Sequence, residues 1–249
     1  MKIIRLPDTI LAFLLDIDGT LYSMRHYVNY QTDALIRQFA KYKGLEVKEA
    51  ARLVEKTRQE ASLLNGANTS LANIMAILGV DMATSVQWRK SLFKPENYLE
   101  PDPALRLALL KLMEPNLNDS GSLFACGVAC GKEWSADKKT AAKVKLAAVT
   151  NNPHSVAEAG LKALGVLDLF DSVIGLDDTM KSKPDPQPFI LAAKLLGIGP
   201  EYCVSVGDRY DIDLAPALKL GMGAILVNGA EDIYTLPGKL GRNISNAVS

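Results

Sequence analysis

LAFLLDIDGT, residues 11–20, is the stretch from which the fold of this 249-residue chain can be worked out. Its apolar part, Leu11 to Ile17, predicts a strand buried on both faces of a parallel sheet. Asp16 and Asp18 stand at the carboxyl end of that strand, where two like charges raise the energy unless something offsets them. A hard cation with oxygen ligands, such as Mg²⁺, would do so, whereas the alternative is a plain acidic turn.

Outward from this stretch, short apolar runs alternate with helical patterns. The alternation predicts an α/β fold with a Rossmann-like parallel sheet. Buried parallel strands are short and rich in Val, Ile, Leu and Ala, and four more runs fit that description. The expected strands are 145–150, 172–175, 203–206 and 224–227, the expected helices are 104–113, 155–164, 188–196 and 213–220, and the tail after Tyr234 is expected to be irregular.

Residues 22–100 have a different pattern, with helical periodicity at 47–64 and 71–78 and no convincing strand. This predicts an all-helical domain inserted after the first strand, so the α/β core would comprise residues 1–21 and 101–249. Within the core, residues 115–139 form an unusual insertion rich in Gly, Ser, Asn and Lys, for which we expect a structural or subunit-contact role.

Composition limits the classes of function. Lysine plus arginine and aspartate plus glutamate number 28 each, which gives no support for nucleic-acid binding. No apolar run approaches the roughly 20 residues that span a bilayer, and three cysteines are too few for a disulfide framework. We therefore expect a cytoplasmic monomer or homodimer that acts on a small molecule.

Three further polar groups follow predicted strands or precede helices. Thr150 and Asn151 end one strand, where a hydroxyl and backbone amides can bind phosphate oxygens, although Thr-Asn is also a common turn. Lys183 could neutralise a phosphate and a carboxylate together, or be an ordinary exposed lysine. Asp208 follows another strand, with Asp211 and Asp213 close behind, and acids at a helix start are often plain dipole partners.

Taken in order, DIDGT at 16–20, Thr150, Lys183 and GDRYDID at 207–213 resemble the four motifs of the haloacid dehalogenase superfamily. The helical insertion is placed like the C1-type cap of that family. The resemblance implies that Asp16 is the nucleophile that becomes an aspartyl phosphate, and that Asp18 is the general acid and base. It also implies that Thr150 holds a phosphate oxygen and that Lys183 orients Asp16.

The same resemblance implies a magnesium site. Its ligands would be Asp16, the backbone carbonyl of Asp18, and Asp208, with Asp213 as the second acid of the fourth motif and Asp211 as the less favoured alternative. The remaining residues expected to line the phosphate site are Asn151, Gly19 and Thr20.

Asp18 selects among the reactions of the family. Members that cleave carbon–halogen bonds lack this second acid, because halide leaves without a proton. The sequence therefore predicts a Mg²⁺-dependent phosphatase acting on a small-metabolite phosphate monoester of nucleotide, sugar phosphate or phosphoglycolate type. A phosphomutase acting on a sugar phosphate and a non-catalytic binding protein that kept the fold are the alternatives.

Overall fold

The computed structural model describes residues 1–115 and 143–241. Apart from Pro115, the insertion predicted at 115–139 lies outside the described residues, and its expected role stays a prediction. None of the helices in the described part is long and apolar enough to cross a membrane.

A six-stranded sheet, in the order β1-β6-β5-β2-β3-β4, forms the centre of the fold. Five strands are parallel, and β1 pairs antiparallel with β6 at one edge. The sequence predicted the five parallel strands but not β1. The strands are β1 (Lys2–Arg5), β2 (Ala12–Leu15), β3 (Lys145–Val149), β4 (Ser172–Ile174), β5 (Cys203–Gly207) and β6 (Gly223–Leu226).

The register of the central strands brings their carboxyl ends level. Leu15, the last residue of β2, pairs with Ala148 of β3 on one side and Val206 of β5 on the other. The residues that follow these three strands therefore meet above the middle of the sheet. Crevices of this kind, outside the carboxyl ends of parallel strands, are where open α/β sheets bind ligands.

Helices cover both faces of the sheet. Phe13 and Leu15 point to a cluster built with α5, α6 and α10, whereas Ala12 and Leu14 point to a cluster built with α8 and α9. This alternation follows from the twofold side-chain period of a strand, and it explains why β2 is apolar throughout. The helices of the core are α5 (Pro103–Leu112), α6 (His154–Ala163), α7 (Leu176–Thr179), α8 (Gln187–Leu196), α9 (Ala215–Lys219) and α10 (Ala230–Lys239).

Four helices lie between β2 and α5. They bury a separate apolar cluster that includes Phe39, Ile74 and Trp88, and Val156 of α6 joins this cluster from the core. The helices are α1 (Arg25–Lys43), α2 (Val47–Asn65), α3 (Leu71–Ile77) and α4 (Met82–Leu92). We call residues 22–100 the helical cap, with its boundaries as predicted from the sequence.

One local prediction was wrong. Residues 235–239, expected to be irregular, belong to α10, because Ile233 and Leu236 of this helix are buried against the α5 side of the sheet. The helix expected at 213–220 is present as α9, and a π-helical turn at Tyr210–Leu214 precedes it. This wider turn matters for the site because it turns the Asp213 side chain inward, where it is buried.

Candidate active site

Asp16 lies directly beyond β2, at the centre of the crevice. Its backbone N–H donates to Val206 O at 2.9 Å, and its side chain is buried. Thr20, also buried, donates from Oγ1 to Asp16 Oδ2 at 3.2 Å. Between them, Gly19 has φ +85°, and a Cβ there would lie 2.7 Å from Asp208 Oδ2. Glycine is therefore required both by the backbone conformation and by the space available.

The ammonium group of Lys183 is buried beside Asp16. Nζ donates to Val149 O at 2.6 Å and to Asp16 Oδ1 at 2.7 Å, and it lies 2.7 Å from Asp213 Oδ1. Nζ thus makes two hydrogen bonds and one further ion pair, all with buried partners. Burial alone would lower the pKa of Lys183, but the charges of Asp16 and Asp213 outweigh it and the pKa is raised. A fixed positive charge thus lies against Asp16.

Three carboxylates, those of Asp16, Asp208 and Asp213, offer oxygen atoms within 4.8 Å of one another. Burial, followed by the charge of Asp16, raises the pKa of Asp208 to about 7. Burial also raises the pKa of Asp213, against the lowering effect of Lys183. Two described cations contact this cluster. Lys183 Nζ lies 2.7 Å from Asp213 Oδ1, and Arg209 Nε lies 3.5 Å from Asp208 Oδ1. Negative charge therefore exceeds positive charge in the cluster.

This donor set fits a hard divalent cation. Asp208 Oδ1 is buried and accepts a hydrogen bond from no described residue, and Arg209 approaches it only to 3.5 Å. A buried carboxylate oxygen without a hydrogen bond is unfavourable, and a metal ion or water would satisfy it. Mg²⁺ prefers carboxylate oxygen ligands, and it would relieve the repulsion among the three acids. Asp16 and Asp208 are thus placed to hold such an ion, with Asp213 beside them.

Asp211 and Asp213, the two candidates for the second acid of the fourth motif, lie in different surroundings. Asp213 is buried, and its Oδ2 accepts the backbone N–H of Arg209 at 3.1 Å. A Cβ on Gly207 would lie 2.4 Å from the Asp213 Cβ, so the close approach of the π-helical turn to β5 requires glycine there. Asp211 points elsewhere, and its Oδ2 accepts both the backbone and side-chain N–H groups of Asn68 in the helical cap.

Asp18 has a different environment from Asp16. Its Oδ1 accepts hydrogen bonds from Tyr22 OH and, at 2.8 Å, from Gln31 Nε2 of α1. Its Oδ2 accepts from Asn152 Nδ2 at 3.0 Å and from Thr150 Oγ1 at 3.4 Å. The carboxylate of Asp18 is therefore held by groups from the core and the helical cap together, and it lies outside the three-acid cluster.

Thr150 and Asn151, at the second motif, also hold other parts of the site in position. Thr150 Oγ1 accepts the backbone N–H of Asn152 at 3.1 Å, which fixes the hydroxyl above β3. Asn151 bonds both to Lys183 O and to Lys183 N–H, at 3.3 and 2.8 Å. Its side chain thus holds the Lys183 segment in place, and the phosphate-binding role expected for this segment, which rests on backbone amides, stays a prediction.

Sequence reasoning missed Gln31 as a member of this site. It lies inside a cap helix, within no motif, and only the fold brings it to Asp18. Its amide is nearly buried and also bonds to Asn152, with 3.3 Å between Gln31 Oε1 and Asn152 Nδ2. The burial of this glutamine beside the Asp18 carboxylate is a signal that the sequence alone does not display.

Comparisons with known proteins find one family model and several curated proteins that match part of the chain. Residues 136–221 match the model for haloacid dehalogenase-like hydrolases. Pyrophosphatase PpaX of Bacillus velezensis is 39% identical over 74 residues, covering 30% of this chain and 34% of that protein. Phosphoglycolate phosphatase of Escherichia coli K12 is 42% identical over 73 residues, covering 29% of each chain. The match thus spans about a third of the length of these curated relatives.

Solved structures show the same fold over nearly the whole chain. A HAD phosphatase from Thermococcus onnurineus has a TM-score of 0.52 and 22% identity, covering 94% of this chain and 99% of that one. A 2-haloacid dehalogenase from Pseudomonas syringae has a TM-score of 0.51 and 17% identity, again covering 94% and 99%. The two carry out different reactions on one fold, so the choice of reaction depends on the site.

Proposed function

We propose that this chain, which matches the model for haloacid dehalogenase-like hydrolases over residues 136–221 and shares the fold of a HAD phosphatase, belongs to that family and is a Mg²⁺-dependent phosphatase. Its substrate would be a small phosphate monoester of nucleotide, sugar phosphate or phosphoglycolate type. The named activities of the relatives, a pyrophosphatase and phosphoglycolate phosphatases, support phosphate chemistry.

The observation that carries the proposal is that two segments distant in the chain, those of Lys183 and of Asp208 and Asp213, converge on Asp16. Lys183 Nζ lies 2.7 Å from Asp16 Oδ1, and the Asp208 and Asp213 carboxylates lie in the same cluster. A carboxylate nucleophile meets repulsion from a phosphate dianion, so it needs positive charge held in advance. Lys183 supplies part of that charge. When bound by Asp16 and Asp208, Mg²⁺ would neutralise charge on the phosphoryl oxygens.

Asp16 and Asp18 would divide the reaction between them. An Asp16 oxygen attacks phosphorus while the bond to the leaving oxygen breaks, and protonated Asp18 gives its proton to that oxygen. Asp18, now a carboxylate, takes a proton from water as the water oxygen attacks the aspartyl phosphate. Phosphate leaves, and Asp16 is free again. The covalent step replaces one difficult displacement with two easier ones.

The four hydrogen bonds to Asp18 are all donated to its carboxylate, and they hold it apart from the three-acid cluster. This arrangement fits the second step, in which the Asp18 carboxylate takes a proton from water while Asp16 carries the phosphoryl group. Gln31 comes from the helical cap, so the contact between cap and core bears on the position of Asp18. We expect cap movement to change the hydrogen bonding of Asp18 during turnover.

The test is release of inorganic phosphate from p-nitrophenyl phosphate and a panel of small phosphate esters, with MgCl₂ or with EDTA. Asp16→Asn should lower kcat by at least about a thousandfold, because an amide is a very poor nucleophile. Asp168→Asn is the control, since Asp168 pairs with Arg106 on the surface and touches none of the site residues described above. Both variants should fold, which circular dichroism checks.

The outcomes separate the alternatives. Acid quenching during turnover should trap phosphate on Asp16, which peptide mass spectrometry can locate. An isomerised sugar phosphate, with no free phosphate and a requirement for a bisphosphate activator, would instead identify a mutase. Absence of turnover across the whole panel would favour a binding protein that kept the fold. Wild-type rates in Asp16→Asn would refute the nucleophile assignment.

A further inference from the structure

Arg89 is a buried cation in the helical cap. It lies near the end of α4, and only 4% of it is exposed. Its Nη1 donates to Ser85 O at 3.2 Å and to the Ser85 hydroxyl, one turn earlier in the same helix. Burying a guanidinium without a carboxylate is costly, so such groups are rare unless they meet an anion.

No acid lies within ion-pair distance of Arg89 among the described residues. By contrast, Lys90, its neighbour in α4, pairs with Asp177 Oδ2 at 2.8 Å. A guanidinium has five donors, and Ser85 engages only those of Nη1. Nε and Nη2 donate to no described residue. The hydrogen-bonding capacity of Arg89 is therefore largely unused.

The face of α4 that carries Arg89 is turned toward the core. Met82 and Val86, on the same helical stripe, pack against Leu176 at the start of α7. The backbone N–H of Leu176 donates to Asn152 O at 2.8 Å, and Asn152 in turn holds Asp18. This chain of contacts places the stripe over the carboxyl ends of β3 and β4, at the rim of the crevice.

The charge interactions of Arg89 are consistent with a position near Asp18. Burial lowers the pKa of Arg89 to about 10, and Asp18 is the acid whose charge opposes this effect. Even so, Arg89 keeps its charge near neutral pH. A buried positive charge of the helical cap thus lies near enough to Asp18 for the two charges to interact, and a leaving group protonated by Asp18 would lie near the same carboxylate.

We infer that Arg89 recognises a second anionic group on the leaving group of the substrate. This inference rests on the proposed phosphatase function and narrows it, because the favoured substrates would be small phosphate esters or anhydrides whose leaving portion carries a carboxylate or a phosphate. Lys183 and the metal site would bind the transferred phosphoryl group, and Arg89 would bind the anionic group at the other end of the substrate. A buried arginine suits this task because its planar fork bonds carboxylate or phosphate through two N–H groups.

Matched substrates test the inference on the wild-type protein. Phosphoglycolate and ethyl phosphate are similar in size and differ by one carboxylate, and inorganic pyrophosphate supplies the phosphate alternative. We expect kcat/KM to be at least tenfold higher for phosphoglycolate, for pyrophosphate or for both than for ethyl phosphate. The relative rates for phosphoglycolate and pyrophosphate then tell which anion is preferred.

Two substitutions assign any such preference to Arg89. Arg89→Met keeps much of the side-chain volume without the charge, and it should lower the ratio of kcat/KM between anionic and ethyl esters at least tenfold. Arg89→Lys should recover part of that ratio. Lys90→Met is the matched control, because it removes the neighbouring cation that already has a partner, and it should keep the wild-type ratio. Thermal unfolding checks that each variant is folded.

Failure of this inference is distinguishable from failure of the proposed function. If the wild type hydrolyses p-nitrophenyl phosphate and ethyl phosphate but shows no preference for anionic leaving groups, Arg89 has no such role and the phosphatase assignment stands. Equal losses on all substrates in Arg89→Met would show that Arg89 only supports the cap, and would also overturn the inference. Absence of hydrolysis of every ester would refute the phosphatase assignment itself.

Discussion

Asp208→Asn is expected to stabilise the metal-free protein while abolishing its activity. Asp208 is one of three acids whose oxygens lie within 4.8 Å of one another, and its Oδ1 accepts no hydrogen bond among the described residues. Burial and the charge of Asp16 raise the pKa of Asp208 from 3.8 to about 7. Asparagine has nearly the same shape and carries no charge, so it removes the repulsion without leaving a cavity.

The size of the effect follows from linkage between protonation and folding. A carboxyl group with a higher pKa in the folded protein holds a proton that the unfolded chain releases, so stability falls as the pH rises from about 4 to about 7. At pH 8 the raised pKa of Asp208 corresponds to about 4 kcal/mol of destabilisation at most. Because 28% of the Asp208 side chain is exposed and solvent screens its charge, we expect Asp208→Asn to add about 1–3 kcal/mol.

Urea unfolding at pH 8 in EDTA, followed by circular dichroism, measures this gain. Repeating the titration with MgCl₂ should raise the stability of the wild type by mass action, and the variant should gain little because it has lost a ligand. Asp211→Asn is the control, since the partly exposed Asp211 contacts Asn68 and lies outside the three-acid cluster. It should give no gain in EDTA and should keep the response to Mg²⁺.

Two outcomes would refute the reasoning. Lower stability of Asp208→Asn than of the wild type at pH 8 in EDTA would mean that Asp208 is compensated in the metal-free protein, so the cluster would not be one that demands a cation. An equal Mg²⁺-dependent gain in both proteins would mean that the ion binds elsewhere. The first result would contradict the electrostatic argument and the second would contradict the choice of ligands.

Two other predictions concern backbone geometry and pH. Gly19→Ala should lower the free energy of unfolding by about 1–2 kcal/mol, because alanine is strained in a left-handed backbone conformation. It should also lower kcat/KM at least tenfold, because the new Cβ would lie 2.7 Å from Asp208 Oδ2. Gly44→Ala, at φ +66° with no atom within 4 Å of its Cβ, should show a similar loss in urea unfolding but full activity, and equal activities of the two variants would contradict the steric argument. Burial lowers the pKa of His154, but Asp178, whose Oδ2 lies 2.8 Å from Nδ1, outweighs it and the pKa is raised. His154→Gln should therefore be less stable than the wild type below pH 6, by under about 1 kcal/mol. The difference should vanish as the pH rises through the raised pKa of His154. A difference in melting temperature that persists at pH 9 would contradict this prediction.

Local sequence signals were sufficient for the parts of the fold that depend on short-range chemistry. The five parallel strands could be predicted because each is a short run rich in apolar residues, and most of these residues are buried in the sheet. Strand β1 was missed because it is an edge strand with mostly exposed side chains, and such a strand has no strong hydrophobic pattern. Helix α10 was missed because its sequence contains Pro237 and its buried residues only gain meaning against the α5 side of the sheet.

For the candidate site, the residues that follow strands were predictable, because parallel strands must bring their carboxyl ends to one edge. Asp16, Thr150 and Asp208 follow β2, β3 and β5 for that reason. Gln31 and Arg89 could not be found in this way. They lie within cap helices, and nothing in their local sequence tells which side of a helix will face the core.

The sequence by itself determined the chemistry of the centre, since a buried strand that ends in two carboxylates needs compensating charge wherever the chain folds. Only the tertiary structure decided which groups provide that charge and how they are shared: Lys183 between Asp16 and Asp213, and Gln31 with Asn152 around Asp18. The physical reason is that electrostatic and hydrogen-bond energies depend on distances between atoms far apart in the chain, and those distances exist only after the apolar faces of sheet and helices have packed.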